Sequence, residues 1–260
     1  MTILAQIPLQ NDIIYGPVFS RRLGRSLGIN LLPTTYKSCS FDCIYCQYGS
    51  TLDITLSPKI GDLPTTTQVL DSVEKALKKP RTLDTLTFSG NGEPSIHPDF
   101  PLIVRGVKDI RDHLKPNAKL AILSNSSSVM TPQILSTLRL FDAPMMKLDA
   151  GDEDTFRGIN QPVESIHLEE IINGLKSIPN LIIQSALIDG DISNVKGEAY
   201  KSWVAILREI MPTKVHIYSA ERPTADDRVI CVSPKKLVKI KEELNNQFGL
   251  DVEVFWSDDF

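Results

Sequence analysis

Three thiols crowded into one short segment are the residues of this chain best suited to chemistry. Lys37–Gly49 reads KSCSFDCIYCQYG, so Cys39, Cys43 and Cys46 have the spacing C-x3-C-x2-C. A structural zinc site normally closes with four ligands drawn from paired Cys or Cys/His units, and no second CxxC or HxxxH follows downstream. An iron–sulfur cube also usually takes four cysteines. Three would leave one iron free for a non-protein ligand, and an open coordination position is how metal sites do chemistry. The bland alternative is zinc or three unliganded thiols. Cys231, within the apolar stretch VICV, reads as a small buried hydrophobe.

Three further segments end in residues that could face a ligand. Phe88–Pro94 reads FSGNGEP: Gly90 and Gly92 allow close backbone approach, and freed carbonyls with the Glu93 carboxylate can accept hydrogen bonds from an ammonium group. A plain strand-end turn is the alternative. Ser124–Ser128 (SNSSS) offers the small polar side chains of Ser124 and Asn125, or else an N-cap ahead of Pro132. In MMKLDA, Lys147 and Asp149 alternate and so point to one face of a strand. Charges in an apolar strand are rarely buried unpaired, so the pair either faces a ligand or closes on itself at a rim.

These residues need elements to hold them. Short apolar runs predict strands at Leu27–Leu32, Asp84–Ser89, Lys119–Ser124, Met145–Asp149, Leu181–Leu187 and Lys214–Ser219. Amphipathic stretches between them predict helices at Thr66–Lys78, Pro101–Leu114, Pro132–Phe141, Ile166–Ile178 and Glu198–Met211. Thr131–Pro132 and Ser233–Pro234 have the form of a cap followed by a first-turn proline. Ser233–Phe248 reads as a final helix, and Asp251–Trp256 as a closing edge strand. Six consecutive β/α units give an α/β fold, either a doubly wound sheet or a partial barrel, and spacing alone does not choose.

The 260 residues are 42% hydrophobic and 23% charged, which excludes a disordered chain, a collagen-like repeat and a disulfide-stapled miniprotein. No apolar run reaches the roughly 18 residues of a membrane span, and Met1–Gln10 has no signal-peptide pattern, so the expected location is the cytoplasm. With 28 Lys+Arg against 32 Asp+Glu, the net charge of −4 gives no global footprint for nucleic acid.

The cysteine loop resembles that of the radical S-adenosylmethionine enzymes. The resemblance implies a partial (β/α)6 barrel over residues 1–260 as a single domain, with a C-terminal helix and an edge strand. It implies that Cys39, Cys43 and Cys46 hold a [4Fe–4S] cluster whose fourth iron is chelated by S-adenosylmethionine. Tyr45 would then pack near the adenine. The GNGEP run, Gly90, Gly92 and Glu93, is similar to the family's GGEP element with Asn91 at a frequent glycine, and would hold the methionyl amino group. Ser124 and Asn125 would contact the ribose or carboxylate, and Lys147 with Asp149 would include the charge facing the cofactor carboxylate. The implied activity is an oxidoreductase-type one: reductive cleavage of the cofactor gives a 5′-deoxyadenosyl radical that takes a hydrogen atom from a substrate.

Tyr15–Pro33, Lys147–Pro162 and Ser219–Asp227 look like the group that contains the wyosine-synthesising tRNA enzymes and their bacterial relatives. Those enzymes use extra N-terminal cysteines for a second cluster, which this chain lacks. The expected partners are an electron donor such as flavodoxin or ferredoxin and a small-molecule or protein substrate. A tRNA substrate, a glycyl-radical activase and a non-enzymatic metal-holding scaffold remain as alternatives, and no membrane is implied. Arg21, Arg22 and Arg25 could meet a phosphate or carboxylate or form a solvated edge. His97 and His113 read as surface or capping residues, and Gly151–Arg157 as a polar loop at the substrate mouth.

Overall fold

A computed structural model describes residues 6–256; Met1–Ala5, part of the segment searched for a signal peptide, lie outside the described residues. Its main sheet has eight strands. β1 (Ile14–Ser20) runs antiparallel to β2 (Gly24–Ile29). Then follow β3 (Thr85–Phe88), β4 (Lys119–Ser124), β5 (Ala143–Lys147), β6 (Ile182–Ala186), β7 (Lys214–Tyr218) and β8 (Val252–Phe255), each parallel to its neighbour. Their order in space is their order in the chain. A doubly wound sheet would reverse direction part-way across. Sequential order instead curls the sheet into a half-barrel, so the partial barrel is the correct alternative.

Helices cover the outer face: α1 (Thr66–Leu77), α2 (Phe100–Leu114), α3 (Pro132–Leu138), α4 (Glu153–Asn160), α5 (Leu168–Leu175), α6 (Gly197–Ile210) and α7 (Pro234–Phe248). Thr65 caps α1 by accepting from Gln68 N, and the Gln68 side chain returns the bond to Thr65 N. Ser233 caps α7 the same way through Lys236 N. Thr131 makes no side-chain cap bond, so α3 starts on Pro132 alone. The dry layer between sheet and helices includes Phe88, Phe100 and Phe141, whose ring centroids lie 5.6 to 6.4 Å apart. No helix among the described residues is long and apolar enough to cross a membrane.

Several expectations need correction. The first parallel strand lies three residues earlier than Leu27–Leu32, because Asn30 turns the chain out of the sheet. Its amide donates to Leu32 O and its oxygen accepts from Leu32 N and Asn91 N. Leu31 and Leu32 are buried outside the sheet. Gly151–Arg157 is not a loop at the mouth: Asp152 accepts from Thr155 N and opens α4, which buries Phe156 and Ile159. Cys231 is exposed, not buried. It belongs to a two-stranded ribbon, Val229–Cys231 against Ile188–Gly190, whose Ile230 is 59% exposed.

Candidate functional site

The cysteine loop is fixed by backbone. Ser38–Cys39 pairs with Asp53–Ile54, and Ser38 bridges to Gly92 just beyond β3. On its other side Ile44 N donates to Ile159 O and Asp42 N to Gln161 O, both at 3.0 Å, so the end of α4 backs the loop. Gly92 has φ +142°, and a Cβ there would stand 1.7 Å from Ser38 O. The glycine therefore admits the cysteine loop itself. At Gly90, with φ +141°, a Cβ would meet Asn30 Oδ1 at 2.5 Å. Asn91 is fully buried and donates to Gln10 O and Pro33 O, tying three segments together.

At the carboxyl ends of the strands lies a cavity of about 590 Å³. Cys39, Cys43 and Cys46 line it together with Tyr45, Gly90, Gly92, Glu93, Ser124, Asn125 and Lys147. Asp149 does not line it; it is buried directly behind. Thus ten of the eleven residues singled out from sequence share one cavity wall, and the eleventh supports it. The C-terminal strand ends are where parallel α/β folds place their reactive groups.

Burial pushes the Cys39 thiol up to about 12 and that of Cys43 up to about 11, with Lys37 opposing the first and Lys147 the second. Metal binding here must therefore displace thiol protons. Asn125 Nδ2 donates to Cys39 Sγ and Asn160 Nδ2 to Cys43 Sγ, each at 3.5 Å. Such donors favour sulfur that carries negative charge. Lys37 is buried with its Nζ on Gly49 O (2.9 Å); burial works against its charge, yet the neighbouring Cys46 and Cys39 raise its pKa. Among the described residues no three Cys, His, Asp or Glu side chains converge on a single-ion site. Three thiols in one cavity, two of them accepting from Asn125 and Asn160, form a donor set that fits an iron–sulfur cube with one iron left open.

Glu93 is buried and already heavily engaged. Its Oε1 accepts from Ser95 N, Ser95 Oγ and Ser124 Oγ, and its Oε2 accepts from Asn125 N at 2.5 Å. Burial raises its pKa although those bonds pull the other way. Ser124 and Asn125 are thereby clamped to the GNGEP turn, and Asn125 is no helix cap for Pro132. Ser126, in the turn that follows β4, takes a positive φ of 73°.

Asp149 is the hub behind the wall. Tyr45 Oη donates to its Oδ2, Asn160 Nδ2 to the same oxygen at 2.7 Å, and Ala186 N to Oδ1 at 2.8 Å. Lys147 Nζ stands 3.7 Å from Oδ2, 3.1 Å from Tyr218 Oη and 4.9 Å from the centroid of the Tyr45 ring. Burial disfavours the Lys147 charge, but Asp149 and then Tyr218 hold its pKa above the ordinary lysine range. The two charges do close on each other, and Lys147 still faces the cavity.

The rest of the cavity was not legible as a site. Gln184, Tyr218 and Phe255 line it from β6, β7 and β8, with Arg22 from the β1–β2 turn. Polar residues inside the apolar runs LIIQSAL and KVHIYS were the available signal. The three arginines separate: Arg25 pairs with Asp84 (2.7 Å) away from the cavity, Arg21 pairs with Glu221 (3.6 Å) at its mouth, and Arg22 lies within. His97 is buried and capping, its Nδ1 accepting from Asp99 N at the start of α2.

A sequence profile described as the Radical SAM superfamily matches residues 34–210. The chain is 28% identical over 250 residues to a protein named GTPase Obg from Brachyspira hyodysenteriae, covering 95% of this chain and 35% of that one. It thus spans about a third of that relative, and the phosphate-cradling run G-x-x-x-x-G-K-[ST] does not occur here. A UPF0026 protein of Methanocaldococcus jannaschii is 30% identical over 243 residues, covering 91% of this chain and 72% of that one. Among solved structures, a radical SAM methyltransferase from Sphaerobacter thermophilus superposes with TM-score 0.63 at 18% identity, over 90% of this chain and 66% of that one. Streptococcus suis SuiB bound to precursor peptide SuiA gives 0.65 at 11% identity, over 89% and 49% of the two chains. TYW1 with a lysine-pyruvate adduct gives 0.58 at 14% identity, over 85% and 73%. At these identities the likeness is one of fold.

Proposed function

The chain belongs to the radical SAM superfamily, and from that premise we propose that it is a one-cluster hydrogen-abstracting enzyme whose substrate is a small molecule or a protein rather than RNA. The observation that carries this reading is the set of Cys39, Cys43 and Cys46 on one wall of a single cavity with Gly90, Gly92, Glu93, Ser124 and Asn125. The superfamily's cofactors are a [4Fe–4S] cluster and S-adenosylmethionine. When bound, they supply one-electron cleavage of the sulfonium to methionine and a 5′-deoxyadenosyl radical able to take a hydrogen atom.

The chain's own residues would act around that chemistry. The three cysteines hold three irons, and Lys37 sets a positive charge beside them. The GNGEP carbonyls and Glu93 Oε2 accept from an amino group, while Ser124 and Asn125 present hydroxyl and amide groups beside it. Tyr45 offers a ring face, and Lys147 a cation for a carboxylate. Asp149, which lies behind the cavity lining, keeps Tyr45 and Lys147 oriented. The cavity walls would limit the approach of thiols and reductants that could quench a radical.

Anaerobic protein reconstituted with iron and sulfide, given a strong one-electron reductant and S-adenosylmethionine, is expected to form 5′-deoxyadenosine and methionine, read by liquid chromatography. About one zinc per chain and no 5′-deoxyadenosine would instead identify a metal-holding scaffold. The RNA alternative has its own test. Folded RNA binding draws on many phosphate contacts and falls steeply with salt, and Arg25 is spent on Asp84 while Arg22 lies inside the cavity. Binding of tRNA at physiological salt, measured by fluorescence anisotropy, is expected to be weak or undetectable. Submicromolar binding that weakened on replacing Arg21 and Arg222 would restore the RNA-modifying reading.

A further inference from the structure

Among the described residues no carboxylate pairs with Arg22. The turn between β1 and β2 fixes its backbone, since Ser20 Oγ accepts from Arg22 N and Leu23 N. Its guanidinium carbon lies 5.2 Å from the centroid of Tyr218 and 5.9 Å from that of Phe255. Nη1 donates to Gln184 Oε1 at 3.1 Å, and Gln184 Nε2 donates in turn to Met145 O at 3.1 Å, which settles the amide's orientation. Among the described residues Arg22 has no ion-pair partner, unlike Arg21 and Arg25 on either side of it. A guanidinium has five N–H donors, and among the described residues that of Arg22 meets one acceptor, Gln184 Oε1.

A half-buried cation with no carboxylate beside it is poorly compensated, and proteins retain one where a ligand completes it. The fork geometry of a guanidinium matches the paired oxygens of a carboxylate or phosphate. Arg22, Gln184, Tyr218 and Phe255 line the same cavity as the cysteines. Lys147 spans between the walls through Tyr218 Oη. Exposed Arg222 at the mouth, where Arg21 is already paired with Glu221, adds a positive charge on the path of an incoming anion.

Resting on the reading above, we infer that Arg22, held by Gln184 over Tyr218 and Phe255, is the anchor for an oxyanion of the substrate. The substrate is therefore a small molecule bearing a carboxylate or a phosphate, seated at Arg22 in the cavity that the cysteines also line. The cavity must also admit the cofactors, which limits the remainder of the substrate to a compact group.

The test uses reconstituted protein with S-adenosylmethionine present, titrated with two probes, acetate and inorganic phosphate, while the melting temperature is followed. A ligand that binds the native state raises it saturably. At least one probe is expected to saturate in the millimolar range, and the stronger of the two identifies the source of the oxyanion. Arg22→Gln should abolish the effect, and Arg22→Lys, which keeps the charge but not the fork, should weaken it by about tenfold. Gln184→Leu should weaken it several-fold. In all variants the affinity for S-adenosylmethionine, measured by calorimetry, should stay within about twofold. If Arg22→Gln fails to fold, the Arg22→Lys shift decides. Absence of saturation by both probes, unchanged binding in the Arg22 variants, or competition by tRNA at physiological salt overturns the inference. Wild-type protein that takes up no iron and binds no S-adenosylmethionine would instead count against the proposed function itself.

Discussion

Alanine at any one of Cys39, Cys43 or Cys46 is expected to take the iron of anaerobically reconstituted protein from about four per chain to near zero. The expectation follows from the loop's construction. The three thiols line one cavity, and Cys231, the remaining cysteine, does not line it and cannot take over a lost position. Cys39 and Cys43 are buried, so an iron deprived of either finds no water to replace it cheaply. Cys231→Ala should retain the full iron content, because that thiol lies exposed on the ribbon Val229–Cys231 and lines no part of the cavity. Iron and acid-labile sulfide analysis, with the visible charge-transfer absorbance, reads all four variants. Equal loss in Cys231→Ala would make the ligand assignment wrong.

Much of this site could be read before any coordinates, for a specific reason. Residues that touch one another across short chain distances, such as Cys39–Cys46 or Gly90–Glu93, leave their spacing in the sequence. The parallel strands are also legible because apolar runs buried on both faces stand out from polar surroundings. What escaped depended on tertiary context. The apolar run LGINLL continues past its strand because Leu31 and Leu32 are buried by the loop that Asn30 starts. β1 escaped because IYGPVFS is half exposed at an edge, where Phe19 is 83% exposed. α4 is eight residues of mostly polar sequence, and only its cap and the pair Phe156–Ile159 mark it. The reading of VICV failed because a two-stranded ribbon leaves one side without cover. Arg22, Gln184, Tyr218 and Phe255 come from four distant segments, so only the curled sheet makes them neighbours.

The half-barrel also predicts which polar contact the fold can least lose. Asp149→Ala is expected to destabilise the protein by about 3–5 kcal/mol, the usual consequence of removing one partner of a buried ion pair. In a chain of this size that is a fall in melting temperature on the order of 10 °C. The Asp149 side chain is fully shielded and that of Lys147 is 14% exposed, so solvent does little to screen the loss. Three donors lose their acceptor together: Tyr45 Oη, Asn160 Nδ2 and Ala186 N. They belong to the cysteine loop, to α4 and to β6, so the damage spreads over three elements around the cysteines. Part of the cost is the lysine charge left behind, and that part is separable. Adding Lys147→Met to Asp149→Ala should recover about 1–2 kcal/mol in denaturant melts, because an apolar side chain of similar length replaces an unpaired buried ammonium. The remainder should persist, since Tyr45, Asn160 and Ala186 still lack their partner. A double variant no more stable than Asp149→Ala would show that the ammonium finds relief elsewhere, most directly on Tyr218 Oη at 3.1 Å, and that Asp149 acts on the wall through its hydrogen bonds alone.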